Sequence, residues 1–266
     1  MQTITLNNGV EMPLIGLGTF GGQGEELQGA ILGAIQAGYR MIDTAQMYKN
    51  EAQVGAAIKE SAVPRRELFL ATKIYDISRS FQKAKEAIDR SLVDLQTDYI
   101  DLLMLHMPYE ESLEMYAAME QAYQEGKVRA IGVCNFREER YLDLIGHCTV
   151  IPAVNQFETH IFQQNEELQR VLLEHGTHLT AWSPLAKGQA LFENEVLQQI
   201  AQHHHRTVVV LRNLVQRGIP VIPKSVHQNR IEENMQIFDF QLDASEMEQI
   251  AQLDQNRSIL EWTQNL

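Results

Sequence analysis

Short apolar runs alternate with segments of helical periodicity along almost the whole chain. Eight of these runs are typical of strands, and no linker or change of composition separates one unit from the next: LIGLGT, YRMIDTA, ELFLATK, YIDLLMLH, VRAIGVCN, VIPAVNQFE, HLTAWSP and PVIPKS. Strands that alternate with helices form parallel sheets, and eight such units in roughly 250 residues is the arithmetic of a TIM barrel. We therefore predict an α/β fold, a (β/α)8 TIM barrel formed as a single domain over residues 1–266.

Two further features complete this predicted fold. The opening segment TITLNNGVEMP predicts an N-terminal β-hairpin with Asn-Gly as its turn, and the chain closes with helices and a short C-terminal tail. A doubly wound sheet of six or seven strands is the alternative to the barrel.

The composition limits the partners of such a protein. A formal net charge of −13 repels nucleic acid and anionic lipid, so an anionic ligand requires a local basic cluster. We find neither a signal-peptide pattern nor an apolar stretch long enough to cross a bilayer, and we expect a cytoplasmic monomer without nucleic-acid or membrane partners. The two cysteines, Cys134 and Cys148, are too few for a disulfide framework or a four-ligand zinc site.

Polar residues close the predicted strands. Five runs end at polar side chains, and two others end in WSP and PKS; the five are Asp43, Lys73, His106, Asn135 and Gln156. A charged residue that closes an apolar strand costs burial energy unless it is paired or hydrated. Because the active site of a barrel lies at the carboxyl ends of its strands, this set predicts the position of a functional site.

Four of the residues near these ends suggest carbonyl reduction when they are taken together. Each has an ordinary interpretation alone: Asp43 as a turn residue, Tyr48 as a half-buried aromatic, Lys73 as a lysine reaching solvent and His106 as a structural histidine. A phenol with a pKa near 10 is a poor acid at neutral pH, but a nearby ammonium lowers that pKa. The phenol can then donate a proton to an alkoxide. The hydride that completes the reduction requires a cofactor.

A series of motifs along the chain resembles, in order, those of the aldo-keto reductase superfamily: GLGTF, IDTAQMYKNE, ATKIY, LLMLHMP, GVCNF, VNQFE, AWSPLAKG and VIPKSVHQNRIEEN. The match covers essentially the whole chain. The sequence looks most like the small bacterial members of the superfamily that are related to diketogluconate and methylglyoxal reductases. The resemblance implies a (β/α)8 barrel, NADPH-dependent reduction of small aldehydes and ketones, and a catalytic tetrad. In that tetrad Tyr48 is the general acid, Lys73 lowers its pKa, Asp43 pairs with Lys73, and His106 orients the carbonyl.

The cofactor NADP(H) and a small carbonyl substrate follow from the same resemblance. It implies that Asn135 and Gln156 bind the nicotinamide carboxamide, Trp182 stacks on the ring, and Ser183 and Leu185 contact the pyrophosphate. We also expect Gly18 and Thr19 to contact the cofactor. The basic segment IPKSVHQNR has an ordinary interpretation as a solvated helix start. The resemblance implies instead that Lys224, Ser225 and Arg230 hold the 2′-phosphate, and that Glu233 and Asn234 hold the adenine.

The sequence departs from the family pattern at several positions. Trp182 stands where Tyr is frequent, Cys134 where Ser is usual, Met107 where Trp is frequent, and His227 where related proteins often carry a further Arg. We expect Phe20, Met47 and Met107 to line the substrate pocket. Since the segment after His106 is short and the chain ends soon after LDQNRSIL, the pocket is expected to be comparatively open.

The glycines of the first loop also match another fold. Gly16-Leu-Gly18-Thr-Phe-Gly21 fits G-x-G-x-x-G, and Asp43 follows at the distance expected of a Rossmann site. However, Gly22 and Gly24 prolong the loop where a helix should begin, and the basic segment lies near the other end of the chain. We therefore interpret these glycines as the end of the first barrel strand, where small residues let the backbone approach a cofactor.

Two other interpretations of the chemistry are open. Lys73 at a strand end is compatible with a Schiff-base lyase, and a barrel that binds NADPH without turnover would be a nucleotide sensor. The run of histidines at residues 203–205 suggests a metal site. Because adjacent residues on a helix do not face one another, we predict a solvated helix end and no metal.

Overall fold

A computed structural model describes residues 1–188, 191 and 193–260. The chain opens with the predicted hairpin, in which β1 (Thr3–Thr5) pairs antiparallel with β2 (Glu11–Pro13). Seven further strands form one parallel sheet: β3 (Leu17–Gly18), β4 (Met41–Asp43), β5 (Phe69–Ile74), β6 (Leu102–Leu105), β7 (Ile131–Cys134), β8 (Val154–Glu158) and β9 (His178–Trp182). Their order in the sheet is their order in the chain. A doubly wound sheet reverses its strand order at a switch point, so this alternative is wrong.

Helices connect the strands, as the periodicity predicts. In the described part of the chain they are α1 (Gly24–Gln36), α2 (Glu51–Glu60), α3 (Phe81–Asp94), α4 (Ser112–Gln124), α5 (Glu138–Ile145), α6 (Glu166–Glu174), α7 (Glu195–His204), α8 (Val209–Gln216), α9 (Gln228–Met235) and α10 (Ala244–Ala251). Side-chain caps start several of them: Asn194 accepts from the Leu197 N–H, and Asp243 and Glu246 form a reciprocal capping box. None of these described helices is long and apolar enough to span a membrane.

The predicted eighth strand, PVIPKS, forms single bridges instead of a regular ladder. Val221 pairs in parallel with Ile15 beside β3 and with Ala181 in β9. The Val221 carbonyl accepts from the Gly16 N–H at 2.9 Å, and the Pro220 carbonyl accepts from the Ala181 N–H at 2.8 Å. A proline has no N–H to donate, so a segment with prolines at 220 and 223 cannot form a continuous ladder. Both edges of the parallel sheet nevertheless hydrogen-bond to this one segment.

The sheet is apolar on both faces over most of its length. Its outer face packs against the helices in a large buried cluster that includes Ile42, Leu70 and Leu103. Its inner face forms a second cluster, to which the hairpin contributes Leu6 and Met12. The sheet side chains in this cluster are Met41, Phe69, Ala71, Leu102, Met104, Cys134 and Val154. Polar inward-facing side chains therefore occur mainly at the carboxyl ends of the strands, where the candidate site lies.

Candidate active site

A buried ion pair joins the ends of two neighbouring strands. The Lys73 ammonium in β5 donates to Asp43 Oδ1 at 2.5 Å and to the Thr44 carbonyl at 3.0 Å. Asp43 Oδ2 accepts from Gln156 Nε2 at 2.8 Å, so both carboxylate oxygens are bound. Burial opposes the charge on Lys73, but Asp43 and the nearby Tyr48 raise the pKa of the ammonium above its usual value. Lys73 is therefore a fixed cation.

Tyr48 lies beside this ion pair, in the short 3-10 turn Gln46–Tyr48 that follows β4. Its ring centroid is 5.3 Å from Lys73 Nζ and 5.7 Å from the His106 ring. Burial raises the pKa of the Tyr48 phenol to about 12. Lys73 lowers this pKa, as predicted, but its effect is smaller than that of burial. The hydroxyl thus carries its proton at neutral pH, which a general acid requires.

His106 follows β6 and is held by its own backbone, whose N–H donates to the Ile74 carbonyl at 2.9 Å. Burial first, and then the charge of Lys73, lower the pKa of the imidazole to about 3. The ring is consequently neutral at pH 7 and has one N–H donor. Its Nδ1 is buried without a hydrogen-bond partner among the described residues. A neutral imidazole here can hydrogen-bond to a carbonyl oxygen without bringing a second cation into the site.

Asn135 connects His106 to the predicted ring-stacking residue. It follows β7 with a left-handed backbone, φ +64°. Trp182 Nε1 donates to Asn135 Oδ1 at 2.9 Å, and Asn135 Nδ2 donates to the His106 carbonyl at 3.0 Å. Asn135 Nδ2 also lies 3.3 Å from Met107 Sδ. The structure therefore brings together three residues that the sequence assigned separately to carboxamide binding, ring stacking and the substrate pocket.

The first loop is tied to Asp43 and to the segment of the basic residues. Both the N–H and the hydroxyl of Thr19 donate to the Asp43 carbonyl, each at 3.0 Å. The Gly18 N–H donates to the Pro223 carbonyl at 3.1 Å. A Cβ at Gly18 would lie 2.9 Å from the Ile222 carbonyl oxygen, so this position excludes larger residues. Backbone from both ends of the chain meets here.

The basic residues surround the start of α9. Lys224 and Arg230 are exposed, and neither has an ion-pair partner among the described residues. Ser225 is buried, and its hydroxyl accepts from the His227 N–H at 3.1 Å. Further along α9, Glu233 accepts from the Thr207 hydroxyl, and Asn234 is buried next to Tyr39. Two exposed cations without an ion-pair partner in the described part of the chain thus lie next to a helix amino end, in a strongly acidic protein.

The loop after β9 carries the predicted pyrophosphate contacts. Ser183 adopts a left-handed backbone, φ +48°, and its carbonyl accepts from the Ala186 N–H at 2.9 Å. Ser183 and Leu185 are both half-buried, and Leu185 packs against the apolar clusters. Both residues lie directly after Trp182, at the carboxyl end of the sheet.

Apolar side chains border Tyr48 on the solvent side. Phe20 is 64% exposed and Met47 is 46% exposed, although both are large and apolar. The Phe20 ring lies 5.1 Å from the Tyr48 ring in an edge-to-face arrangement, and Met107 is half-buried. Exposed apolar side chains around a buried polar cluster are typical of a binding site for a small ligand.

Asn50 has a different role from the helix cap that its position before α2 suggests. Its side chain makes no cap hydrogen bond. Instead, its Nδ2 donates to the carbonyls of Thr19 at 3.0 Å and Gly22 at 3.1 Å, and its Oδ1 accepts from the Thr44 hydroxyl at 2.7 Å. The buried amide therefore fixes the loop that carries Phe20 to the end of β4. The first-loop partners lie 31 and 28 residues away, so no local motif reveals this role.

Glu158 is a second residue that the motifs did not indicate. It is the last residue of β8 and is almost fully buried. Its carboxylate accepts from the Ser258 hydroxyl at 2.5 Å, from the Ile259 N–H at 2.7 Å and from the His160 ring at 3.0 Å. These bonds attach the segment after α10 to the carboxyl edge of the sheet. A charged residue at a strand end was the available signal, but its partners follow some 100 residues later.

The prediction that adjacent histidines at the end of α7 point apart is wrong for one pair. His203 and His204 both hydrogen-bond to Glu246 of α10, whereas His205 is the exposed residue that ends the helix in a left-handed conformation.

Comparison with known proteins agrees with this geometry. The aldo/keto reductase family model matches residues 14–255. A glyoxal reductase of Bacillus subtilis is 42% identical over 97% of this chain and 95% of its own length. The crystal structure of MGS-M4, an aldo-keto reductase from a Medee basin deep-sea metagenome library, superposes with a TM-score of 0.95 at 40% identity, covering 97% of each chain.

A third relative has been solved with a nucleotide. A Bombyx mori aldo-keto reductase in complex with NADP superposes with a TM-score of 0.93 at 32% identity, covering 99% of this chain and 96% of its own. The family model and these full-length similarities lead to one conclusion: the chain belongs to the aldo/keto reductase family.

Proposed function

We propose that this protein is an NADPH-dependent reductase that converts small aldehydes and ketones to alcohols. The observation that carries the proposal is the cluster formed by the Asp43–Lys73 ion pair, the protonated phenol of Tyr48 and the neutral imidazole of His106. Membership of the family supports it, as do a relative named glyoxal reductase and a structural neighbour in complex with NADP.

The proposed scaffold is a complete (β/α)8 barrel that forms one domain over residues 1–266. The bridges of Val221 to Ile15 and Ala181 support this closure, because they connect the first and last strands of the parallel sheet through the predicted eighth strand. That the protein acts as a cytoplasmic monomer stays a prediction.

The residues present fit a dinucleotide. Hydrogen bonds to the Pro223 and Asp43 carbonyls fix the backbone of Gly18 and Thr19, so the end of the first strand is a rigid surface beside the site. Lys224 and Arg230 are exposed cations without ion-pair partners in the described ranges, and they suit a phosphate group. Trp182 offers an indole, fixed by its hydrogen bond to Asn135, on which a planar ring can stack. When bound, NADPH supplies the hydride that reduces the carbonyl carbon.

The tetrad handles the proton and the charge. In this proposal the substrate carbonyl oxygen accepts a hydrogen bond from the neutral His106 and the proton of the Tyr48 hydroxyl, so that the developing alkoxide leaves as an alcohol. The resulting tyrosinate is stabilised by Lys73, whose charge Asp43 maintains. Because Tyr48 is half-buried, solvent can return the proton.

The remaining residues are assigned to the cofactor. Asn135 and Gln156 bind the carboxamide; since Gln156 Nε2 is bound to Asp43, its carbonyl oxygen is the group available for this contact. Ser183, Leu185, Gly18 and Thr19 line the pyrophosphate and nicotinamide side, and Glu233 and Asn234 the adenine. Lys224, Ser225 and Arg230 bind the 2′-phosphate, and roughly 1.5–3 kcal/mol per charged hydrogen bond favours NADPH over NADH by a few kcal/mol.

The test of this function is Tyr48→Phe. The variant keeps the aromatic ring and removes the donated proton, so we expect kcat with methylglyoxal to fall by about 10²–10⁴-fold. NADPH binding, followed by fluorescence titration, should change little. Turnover is measured from the loss of NADPH absorbance. Wild-type turnover in Tyr48→Phe would refute Tyr48 as the acid.

The two other interpretations make different predictions. A Schiff-base lyase needs a lysine that can lose its proton, and the raised pKa of Lys73 disfavours this; covalent trapping of substrate with borohydride would support it. A nucleotide sensor would bind NADPH without steady-state turnover of any carbonyl in a substrate panel.

A further inference from the structure

A histidine–carboxylate cluster lies between α7 and α10, and none of its members belongs to the proposed active site. Glu246 Oε1 is 2.8 Å from His203 Nδ1 and 2.9 Å from His204 Nε2, and Glu246 Oε2 is 2.8 Å from His204 Nε2. The three potential ligand atoms lie within 4.8 Å of one another. Two imidazoles from one helix thus converge on one carboxylate from another.

The convergence has a simple geometric cause. Consecutive residues of an α-helix point about 100° apart around its axis, so their side chains normally diverge. Here His203 uses the near ring nitrogen, Nδ1, and His204 the distant one, Nε2. The different reach of the two nitrogens compensates for the angle, and the ring centroids come within 4.6 Å of each other.

Two of the three side chains are held in place by other contacts. The Glu246 side chain is 8% exposed, and its Oε2 accepts from the Asp243 N–H in the capping box of α10. His204 is 15% exposed and packs against the Phe240 ring at 5.1 Å. The His203 side chain is 68% exposed. The cluster is thus preorganised on its inner side and open to solvent at His203.

We propose that His203, His204 and Glu246 form a binding site for a divalent transition-metal ion of the Zn²⁺ class, with water in the remaining coordination position. Two imidazole nitrogens and one carboxylate oxygen are ligands that Zn²⁺ prefers, at about 2.0–2.2 Å from the ion. At these bond lengths tetrahedral ligand atoms lie about 3.3 Å apart. The present nitrogen–oxygen distances of 2.8–2.9 Å are a few tenths of an ångström shorter than this value, so the ligands must move apart slightly when an ion enters.

The charge balance also favours an ion at this position. Because a carboxylate only accepts, the ring nitrogen of each histidine that faces Glu246 carries the hydrogen in the present arrangement. A shift of that proton to the opposite ring nitrogen frees the lone pair for the metal without loss of a proton from the protein. The single carboxylate partly neutralises the ion in a protein of net charge −13.

An ion at this site would join α7 to α10. Both helices contribute to one apolar cluster, Leu197 and Ile200 from α7 and Ile250 from α10, and Leu185 of the loop after β9 packs against the same cluster. Because the ion binds the folded arrangement and not the separated helices, it stabilises that arrangement. We therefore expect Zn²⁺ to raise the melting temperature.

The experiment is calorimetric titration of the full chain with Zn²⁺ alone, in a buffer that does not bind metal, for the wild type, His203→Ala and His205→Asn. His205 is a matched control, since it is an exposed histidine two positions further on, and Asn tolerates its left-handed backbone, φ +52°. We expect one Zn²⁺ per chain in the wild type and in His205→Asn. Removal of a residue that only hydrogen-bonds to a metal ligand typically weakens metal affinity about 10–100-fold. His203→Ala removes a ligand itself, so it should weaken Zn²⁺ binding by at least about tenfold.

A second variant tests the carboxylate. Glu246→Gln keeps a side chain that can complete the capping box and removes the charged ligand, so it should also lose affinity and the Zn²⁺-dependent rise in melting temperature. All the variants retain Cys134 and Cys148, so binding to thiols would not distinguish them. The proposal is overturned if the wild type binds no Zn²⁺ at millimolar concentration. It is equally overturned if His203→Ala binds like the wild type, or if His205→Asn loses as much affinity as His203→Ala.

Discussion

Two buried aspartates at opposite ends of the same sheet have different surroundings. Asp101 precedes β6 at the amino end; its Oδ2 accepts from the Leu70 N–H at 2.9 Å and lies 2.7 Å from Arg65, and its Oδ1 accepts from Arg129 at 2.8 Å. Asp43 ends β4 at the carboxyl end and binds Lys73 and Gln156. Both carboxylates are almost completely buried and bound at both oxygens. Burial and pairing of a charge therefore do not by themselves identify a functional site.

The difference lies in what surrounds each pair. Arg65 and Arg129 bind the two carboxylate oxygens of Asp101, and the Arg65 guanidinium stacks on the Tyr99 ring at 4.1 Å. Lys73 instead faces the Tyr48 ring. Burial, and then the charge of Lys73, lower the pKa of the neighbouring His106, whose Nδ1 has no partner in the described part of the chain. The exposed apolar ring of Phe20 also lies against Tyr48 at this end. We infer that the amino-end pair stabilises the fold and the carboxyl-end pair serves chemistry.

The largest expected effect is on turnover at the carboxyl end. Lys73→Met removes the cation that stabilises the tyrosinate but keeps an unbranched side chain. We expect kcat to fall by about 10³-fold or more, which corresponds to roughly 4 kcal/mol of transition-state stabilisation. Steady-state kinetics with NADPH and methylglyoxal measure this. If Asp101→Asn reduced kcat as strongly, the contrast between the two ends would be wrong.

The next effect is on stability at the amino end. Asp101→Asn leaves two guanidinium groups without their anion; since the side chains of Arg65 and Arg129 are 20% and 46% exposed, water compensates in part. We expect the free energy of unfolding to fall by about 3 kcal/mol, which is the lower end of the range found when one partner of a buried ion pair is removed. Urea denaturation gives the value. Kinetics should be nearly unchanged under conditions where the variant is folded, and a stable variant with poor kcat would reverse our assignment.

A smaller effect concerns the pH dependence of stability. The pKa of His106 is lowered to about 3 in the folded protein, so between this value and the unfolded pKa near 6.5 the unfolded state binds more protons. Stability from the neutral ring is therefore present above pH 6.5 and lost as the pH falls below it. Between pH 7 and pH 5 this amounts to about 2 kcal/mol. The difference in unfolding free energy between these pH values should shrink by that amount in His106→Gln; an equal difference in both proteins would contradict the assignment.

The smallest effect concerns the cofactor. Arg230→Ala removes one exposed cation from the start of α9, and we expect the KM for NADPH to rise about tenfold, with little change for NADH. Lys59→Ala, which removes an exposed lysine at the end of α2, is the control. Equal changes for both cofactors in Arg230→Ala would show that the residue does not bind the 2′-phosphate.

Much of the fold and part of the site could be predicted because the signals are local. The periods of the strands and helices predicted eight barrel strands with connecting helices, and seven of these strands form a regular parallel sheet. The Asp43–Lys73 pair was predictable because successive strands are neighbours in the sheet, which places their last residues side by side. The prediction of the eighth strand was less accurate, since the two prolines in this segment allow single bridges but not a continuous ladder.

Contacts between distant parts of the chain were not predictable in this way. The position of Asn50 directly before α2 suggests a helix cap, yet its amide binds the first loop. Glu158 binds residues 258 and 259, and His203 and His204 meet Glu246 more than 40 residues later. None of these partners is adjacent along the chain or in strand order, so the sequence offers no rule that joins them.

By itself, the sequence determined the succession of strands and helices, the residue type at each strand end and the acidic net charge, because these depend on local periodicity and composition. Only the tertiary structure decided that both edges of the sheet meet at Val221. It also decided that Tyr48 stays protonated and His106 stays neutral. The reason is physical: a pKa depends on desolvation and on charges from several strands at once, and these exist only after the chain has folded.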